Sequence, residues 1–89
     1  MKCCEVHILN KLGLHARASA KFVKLATSFV CNVTLTRDGQ TVNGKSIMGI
    51  MMLAASQGTV LELCTDGEDA DSALTALHAL INDYFGEDE

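Results

Sequence analysis

The sequence contains no proline, no tryptophan and only seven glycines among its 89 residues. This scarcity excludes collagen-like and proline-rich linker structures. Long hydrophobic runs are also lacking, since the longest, Ile47 to Ala55, is far shorter than the roughly 20 residues of a membrane-spanning helix. Charged residues in Met1 to Glu5 occupy the place where a secretory signal would need its apolar run. We therefore expect a cytoplasmic protein without membrane insertion.

Basic residues are absent from the second half of the chain. Residues 1–45 contain all seven lysines and arginines with two acidic residues, a net charge of +5, whereas residues 46–89 contain nine acidic residues, a net charge of −9. This segregation indicates a polarised surface with a basic recognition face. An acidic whole with four aromatic side chains argues against nucleic acid as the main partner. For Glu87-Asp88-Glu89 we expect a solvated acidic tail.

The four cysteines lack the spacing of a metal or redox motif. Cys3, Cys4, Cys31 and Cys64 form no C-x-x-C pair and have no histidine cluster nearby, so no metal site and no cofactor are predicted. Without a secretion signal, we expect all four to be free thiols that serve as small apolar residues.

The apolar content of 48% and the charged content of 20% are those of a globular chain, and 89 residues suit one domain, 1–89. The side chains Cys4, Val6 and Ile8 alternate with Cys3, Glu5 and His7, and this period of two predicts a half-buried strand. Helical spacing follows at Leu14, Ala18, Phe22, Leu25, Ala26 and Phe29. Alternation returns at Cys31, Val33 and Leu35, and Asp38-Gly39 predicts a hairpin to a short strand, Gln40 to Asn43.

In the second half, Ser46 is expected to cap a short helix from Ile47 to about Leu53. A strand is predicted from Thr59 to Thr65. A last helix from about Asp69 to Tyr84 has its core positions at Ala70, Ala73, Leu74, Leu77, Leu80, Ile81 and Tyr84. The order β-α-β-β-α-β-α favours an α+β domain with helices on one face of an antiparallel sheet and water on the other.

The segment Gly13-Leu14-His15-Ala16-Arg17 contains the candidate reactive residues, His15 and Arg17. It joins the first strand to the first helix, so His15 lies at or next to the helix N-cap, where unpaired N–H groups and the helix dipole favour an anion. A neutral imidazole can attack a phosphoryl group, and Arg17 can bind phosphate oxygens. A structural or merely exposed histidine is the alternative at such a position.

Two segments in register resemble the histidine-containing phosphocarrier protein (HPr) family of the bacterial phosphoenolpyruvate-dependent phosphotransferase system. They are Gly13-Leu14-His15-Ala16-Arg17 and Gly44-Lys45-Ser46-Ile47-Met48-Gly49, and the similarity extends over essentially the whole chain. The resemblance implies an open-faced sandwich of four antiparallel strands under three helices, with the first and fourth strands adjacent. It also implies a phosphoryl-relay carrier, not an enzyme, and we expect a monomer.

The resemblance further implies roles for individual residues. His15 accepts a phosphoryl group on Nδ1 from enzyme I and passes it to an enzyme IIA for sugar uptake, and Arg17 stabilises the phosphate. Ser46 matches a position that a dedicated serine kinase modifies in some bacteria. Partner binding is assigned to Ile47, Met48 and Met51 of the short helix. Lys21 and Lys24, which follow one face of the first helix, form a basic rim beside this apolar surface.

Two positions depart from the family pattern. The family usually has proline after the arginine, where this chain has Ala18; alanine keeps the helix and adds a backbone donor, so we expect the site to survive. Leu12 replaces an asparagine that is common in the sugar-transport branch. Since Lys11-Leu12-Gly13 also occurs in nitrogen-related carriers, a nitrogen-branch regulatory carrier remains the alternative.

Other polar and apolar candidates have simpler interpretations. His7 and His78 are expected to be surface residues. Met48 and Met51 are expected to be exposed for docking, because a helix of six or seven residues cannot bury every side. For Met52 and Leu53 we expect core positions.

Overall fold

The structure is a computed structural model that describes residues 1–89. Its elements follow the predicted order and end in a 3₁₀ turn, Tyr84–Gly86. The strands and helices are β1 (Lys2–His7), α1 (Ala16–Ala26), β2 (Asn32–Arg37), β3 (Gln40–Asn43), α2 (Ile47–Met52), β4 (Val60–Asp66) and α3 (Ala70–Asn82). No helix combines the length and the apolar character needed to cross a membrane.

The four strands form one antiparallel sheet in the order β1-β4-β2-β3. The register places Val6 opposite Leu61 and Leu35 opposite Leu63, so the inward side chains of three strands meet on one face, where the helices pack. The expected open-faced α+β sandwich, with β1 beside β4, is confirmed.

The core lies between the sheet and the helices. The predicted stripe of α1 is confirmed at Ala18, Phe22 and Ala26, which are fully buried. The alternation of β1 is also confirmed, because Val6 and Ile8 are buried while His7 is exposed. Sequence periodicity thus identified which side of β1 and which side of α1 face the core.

The end of α3 differs from the prediction. The helix ends at Asn82, and Tyr84, expected in the core, is 37% exposed while Phe85 is fully buried. The reason is a reversal of the backbone, since Tyr84 and Phe85 both adopt left-handed conformations with φ of 59° and 54°. The turn thus buries Phe85 and leaves Tyr84 partly exposed.

The prediction for Met52 was also wrong. Its side chain is 68% exposed, whereas Leu53 is buried as expected. Because α2 has only six residues, one narrow side can face the core, and Ile50 and Leu53 occupy it. Met52 is left on the solvent side.

The cysteines are not all free thiols. Cys3 and Cys64 form a disulfide across a sequence separation of 61 residues, because the pairing of β1 with β4 sets them opposite each other. Cys4 and Cys31 are free thiols as expected. Burial raises the pKa of both of these thiols, which makes them weak nucleophiles.

Candidate functional site

His15 is the N-cap residue of α1, as the sequence predicted. Its backbone is extended, and its ring Nδ1 accepts a hydrogen bond of 3.2 Å from the Arg17 backbone N–H. The preceding turn depends on Gly13, which has a φ of 67° and whose missing Cβ would lie 2.5 Å from the Ala55 carbonyl oxygen. The β1–α1 connection therefore aims the imidazole at the positive end of the helix dipole.

A carboxylate from the C-terminal segment holds the other side of the ring. Glu87 Oε2 lies 2.6 Å from His15 Nε2, and Glu87 Oε1 accepts a 2.9 Å hydrogen bond from Asn10. The expectation of a purely solvated acidic tail is therefore wrong for Glu87, whose side chain is only 12% exposed. Sequence reasoning missed Asn10 and Glu87, since His15 and Glu87 are 72 residues apart and no local pattern connects them.

The electrostatics of the contact favour an ionised Glu87. Burial opposes ionisation, but hydrogen bonds from Asn10 and His15, with the electrostatic attraction of the neighbouring His15 and Arg17 side chains, outweigh it and keep the pKa of Glu87 below its ordinary value. An ionised carboxylate can only accept hydrogen bonds. Nε2 therefore donates in this contact, and Nδ1, which accepts from the Arg17 backbone N–H, keeps its lone pair at the helix N-terminus.

The C-terminal segment is anchored beside the site. Phe85 is buried in the core, and its carbonyl oxygen accepts a 2.8 Å hydrogen bond from the Lys21 ammonium. Lys21, expected only as part of a basic rim, thus also fixes the tail that presents Glu87. Lys24 lies farther along α1, in its last turn, and is exposed.

An open groove of about 460 Å³ lies between the start of α1 and the C-terminal segment, and Glu87, the partner of His15, is part of its lining. Arg17 is exposed and lines this groove with Lys11 and Lys21, and the C-terminal residues from Gly86 to Glu89 form its other side. The guanidinium is close enough to Glu87 to contribute to the low pKa of that carboxyl. The basic side of the groove suits a phosphoryl anion, and the carboxylates of Glu87, Asp88 and Glu89 line the opposite side.

The second predicted segment lies on α2, which packs against α1. Ser46 is the N-cap, because its Oγ accepts a 3.1 Å hydrogen bond from the Gly49 N–H. Beyond the cap, four apolar side chains are exposed, which we call the α2 patch: Ile47, Met48, Met51 and Met52. The expected exposure of Met48 and Met51 is confirmed, at 77% and 43%.

Comparisons with known proteins agree with this geometry. Residues 2–83 match the family model described as the PTS HPr component phosphorylation site. The phosphocarrier protein HPr of Neisseria meningitidis is 60% identical over 85 residues, covering 96% of both chains. The crystal structure of HPr-C-His from Thermoanaerobacter tengcongensis is 46% identical, covers both chains completely and superposes with a TM-score of 0.96. An HPr dimer from the same organism is 47% identical, with a TM-score of 0.79 over 98% of this chain and all of that one.

The fold and the matched family define a small phosphocarrier protein, which relays phosphoryl groups and is not itself a catalyst. The chain belongs to the HPr family of the phosphotransferase system.

Proposed function

We propose that His15 is the residue that carries the phosphoryl group, accepting it from enzyme I and passing it to enzyme IIA in the cytoplasm for sugar uptake. The orientation of the imidazole carries this proposal. Nε2 is held by Glu87, and Nδ1 points to the N-terminus of α1, where negative charge is stabilised.

The transfer follows from the atoms at hand. The Nδ1 lone pair attacks phosphorus, the bond from phosphorus to the donor atom of enzyme I breaks, and the electron pair of that bond stays on the donor. The Arg17 backbone N–H, which now donates to Nδ1, and the Arg17 guanidinium can then donate to phosphoryl oxygens. Glu87 keeps the Nε2 proton in place, and a histidine of enzyme IIA reverses the chemistry.

We assign partner docking to the α2 patch and the basic rim of Lys21 and Lys24. Exposed methionines adapt to several partner surfaces, and the rim adds attraction to acidic partners. We therefore expect association with enzyme I to slow as the salt concentration rises. The carrier works as a monomer in this proposal, which sedimentation at working concentration tests.

The proposal also covers modification of Ser46 and the branch of the phosphotransferase system in which the carrier works. A serine kinase acting on Ser46 would place negative charge beside the α2 patch, and a phosphorylase would remove it. A nitrogen-branch carrier is the second candidate, supported by Lys11-Leu12-Gly13. Comparing phosphorylation rates with sugar-branch and nitrogen-branch enzyme I distinguishes the two branches.

The decisive experiment is the His15→Ala variant, incubated with enzyme I, phosphoenolpyruvate and Mg²⁺. Wild-type protein should acquire an acid-labile phosphoryl group and pass it to enzyme IIA, whereas His15→Ala should acquire none. His7→Ala is the matched control, because His7 lies on the exposed side of β1 and should leave transfer unchanged. Phosphohistidine in folded His15→Ala would refute the assignment.

A further inference from the structure

The open face of the sheet, away from the helices and from His15, carries a group of metal-ligand side chains. The pairing of β1 with β4 sets Cys3 opposite Cys64 and Glu5 opposite Glu62. The two sulfur atoms and a carboxylate oxygen of Glu62 all lie within 4.8 Å of one another. Cys3 and Glu62 are exposed and Cys64 is buried, so the group is reachable from solvent on one side.

We propose that, once the Cys3–Cys64 disulfide is reduced, these two thiolates and the Glu62 carboxylate bind a thiophilic divalent cation of the Zn²⁺ class. The donor types fit, because zinc takes thiolate at about 2.3 Å and carboxylate at about 2.0–2.2 Å. A tetrahedral ion then separates its ligand atoms by roughly 3.3–3.8 Å, which the present spacing reaches through side-chain rotation. Solvent water takes the fourth position.

The redox state of the cysteine pair controls the site. In the disulfide form both sulfurs are bonded to each other and supply no thiolate. A thiol reductant provides two electrons and two protons; the disulfide becomes two thiols, and the reductant's thiols become a disulfide. Binding one cation then releases the two thiol protons. In a reducing compartment such cysteines stay as free thiols, which are available to bind a cation.

The surrounding charge favours a cation on this face. Glu5 adds a second carboxylate beside Glu62, although its Oε1 already contacts His7 at 3.1 Å. Lys2, the only lysine of β1, contacts Asp71 at 3.7 Å. The sequence alone predicted no metal site because Cys3 and Cys64 are far apart along the chain, and only strand pairing brings them together.

The test is a Zn²⁺ titration of the whole protein against a chromophoric chelator, in the reduced and in the oxidised state. Reduced wild type should bind one ion per chain, and its Cys3 and Cys64 should become protected from alkylation. Cys3→Ser and Glu62→Gln should each weaken binding by at least about tenfold. Both changes are at exposed positions, and unchanged thermal melting will show that the variants fold.

Cys4→Ser is the matched control, because Cys4 is the neighbour of Cys3 on the same strand but points to the other face. It should bind Zn²⁺ like wild type. The proposal is overturned if oxidised protein binds as tightly as reduced protein, if Cys3→Ser retains wild-type affinity, or if the stoichiometry is half an ion per chain, which would indicate a site shared between two copies.

Discussion

At the scale of single residues, the imidazole of His15 is held from both sides. The backbone N–H of Arg17 contacts Nδ1, and the carboxylate of Glu87 contacts Nε2. A carboxylate behind a reactive histidine selects the tautomer and the ring orientation. Glu87 is thus a positioning residue in the proposed transfer, because it acts on phosphorus only through His15.

We predict that Glu87→Ala loosens this orientation. The fraction of the Nδ1–H tautomer of His15 should rise, as measured by nitrogen–proton correlation NMR, and phosphoryl transfer should slow by about tenfold, the lower end of effects for such supporting carboxylates. Glu68→Ala is the control, because Glu68 is exposed and lies outside the groove that Arg17 and Glu87 line. An unchanged tautomer ratio would remove Glu87 from the mechanism.

The low pKa of Glu87 predicts a direction for the pH dependence. A carboxyl whose folded pKa is depressed stabilises the fold above its ordinary value, about pH 4.3, and that stabilisation is lost as the pH falls through the lower folded pKa. Urea unfolding should therefore show a stability difference between wild type and Glu87→Gln near pH 6 that shrinks toward pH 3. A difference that grows with acidification would contradict the assigned direction.

At the scale of elements, α1 and α2 begin in the same way. In each, a side-chain acceptor at the N-cap satisfies a free backbone donor: His15 Nδ1 in α1 and Ser46 Oγ in α2. The two helices differ in what they leave exposed. The six residues of α2 bury Ile50 and leave the α2 patch in solvent.

Ser46→Ala should lower the free energy of unfolding by about 1 kcal/mol, the usual cost of removing a serine N-cap. Ser46→Asp should leave the fold intact or stabilise it slightly, by about 0.3–1 kcal/mol, because negative charge suits a helix N-terminus. The same charge should weaken enzyme I binding. Thermal melting and phosphorylation kinetics test both parts, with Ser72→Ala, an exposed serine of α3, as the control.

For Ser46→Asp, two results would count against this mechanism. A large drop in melting temperature would mean that the capping argument fails. Normal transfer at low carrier concentration would mean that charge at this position does not disturb docking.

Met48→Glu tests the α2 patch directly. Burying the new charge in an apolar partner surface costs desolvation free energy, so affinity for enzyme I should fall by about 10- to 100-fold, as for a central interface residue. Val60→Glu introduces the same side chain at an exposed position on the open sheet face and should have little effect. Equal affinities of the two variants in calorimetry would place the docking surface elsewhere.

At the scale of the whole molecule, two long-range ties join the ends of the chain to its middle. The disulfide links Cys3 on the edge strand β1 to Cys64 on β4. At the other end, Phe85 is buried and Lys21 binds its carbonyl oxygen. Both contacts restrict the movement of a chain end. The anchoring of Phe85 also positions Glu87 against His15.

The disulfide should contribute measurably to stability. Closing a loop of 61 residues reduces the entropy of the unfolded chain, so oxidised protein should exceed reduced protein by about 2–4 kcal/mol in free energy of unfolding. Denaturant titrations with and without a thiol reductant measure this difference in metal-free buffer. Cys3→Ser should show no response to reductant; a response there would assign the effect to another thiol.

The sequence by itself determined the features that depend on neighbours within a few residues. Alternation in β1, the Asp38-Gly39 hairpin and the stripe of Ala18 and Phe22 predicted the element order and the buried sides, because strand and helix periods are local properties of the backbone. The N-caps at His15 and Ser46 were predictable for the same reason, since a cap bonds to a donor two or three residues away.

Only the tertiary structure decided which distant groups meet. The contact of Glu87 with His15 and the pairing of Cys3 with Cys64 span 72 and 61 residues, and no local pattern specifies either one. The burial of Phe85 in place of Tyr84 has a related cause. It depends on the left-handed backbone after α3, which a pattern based on the helical period does not predict. Periodicity states which side of an element is apolar, whereas strand register and the docking of the chain ends follow from how all elements pack together.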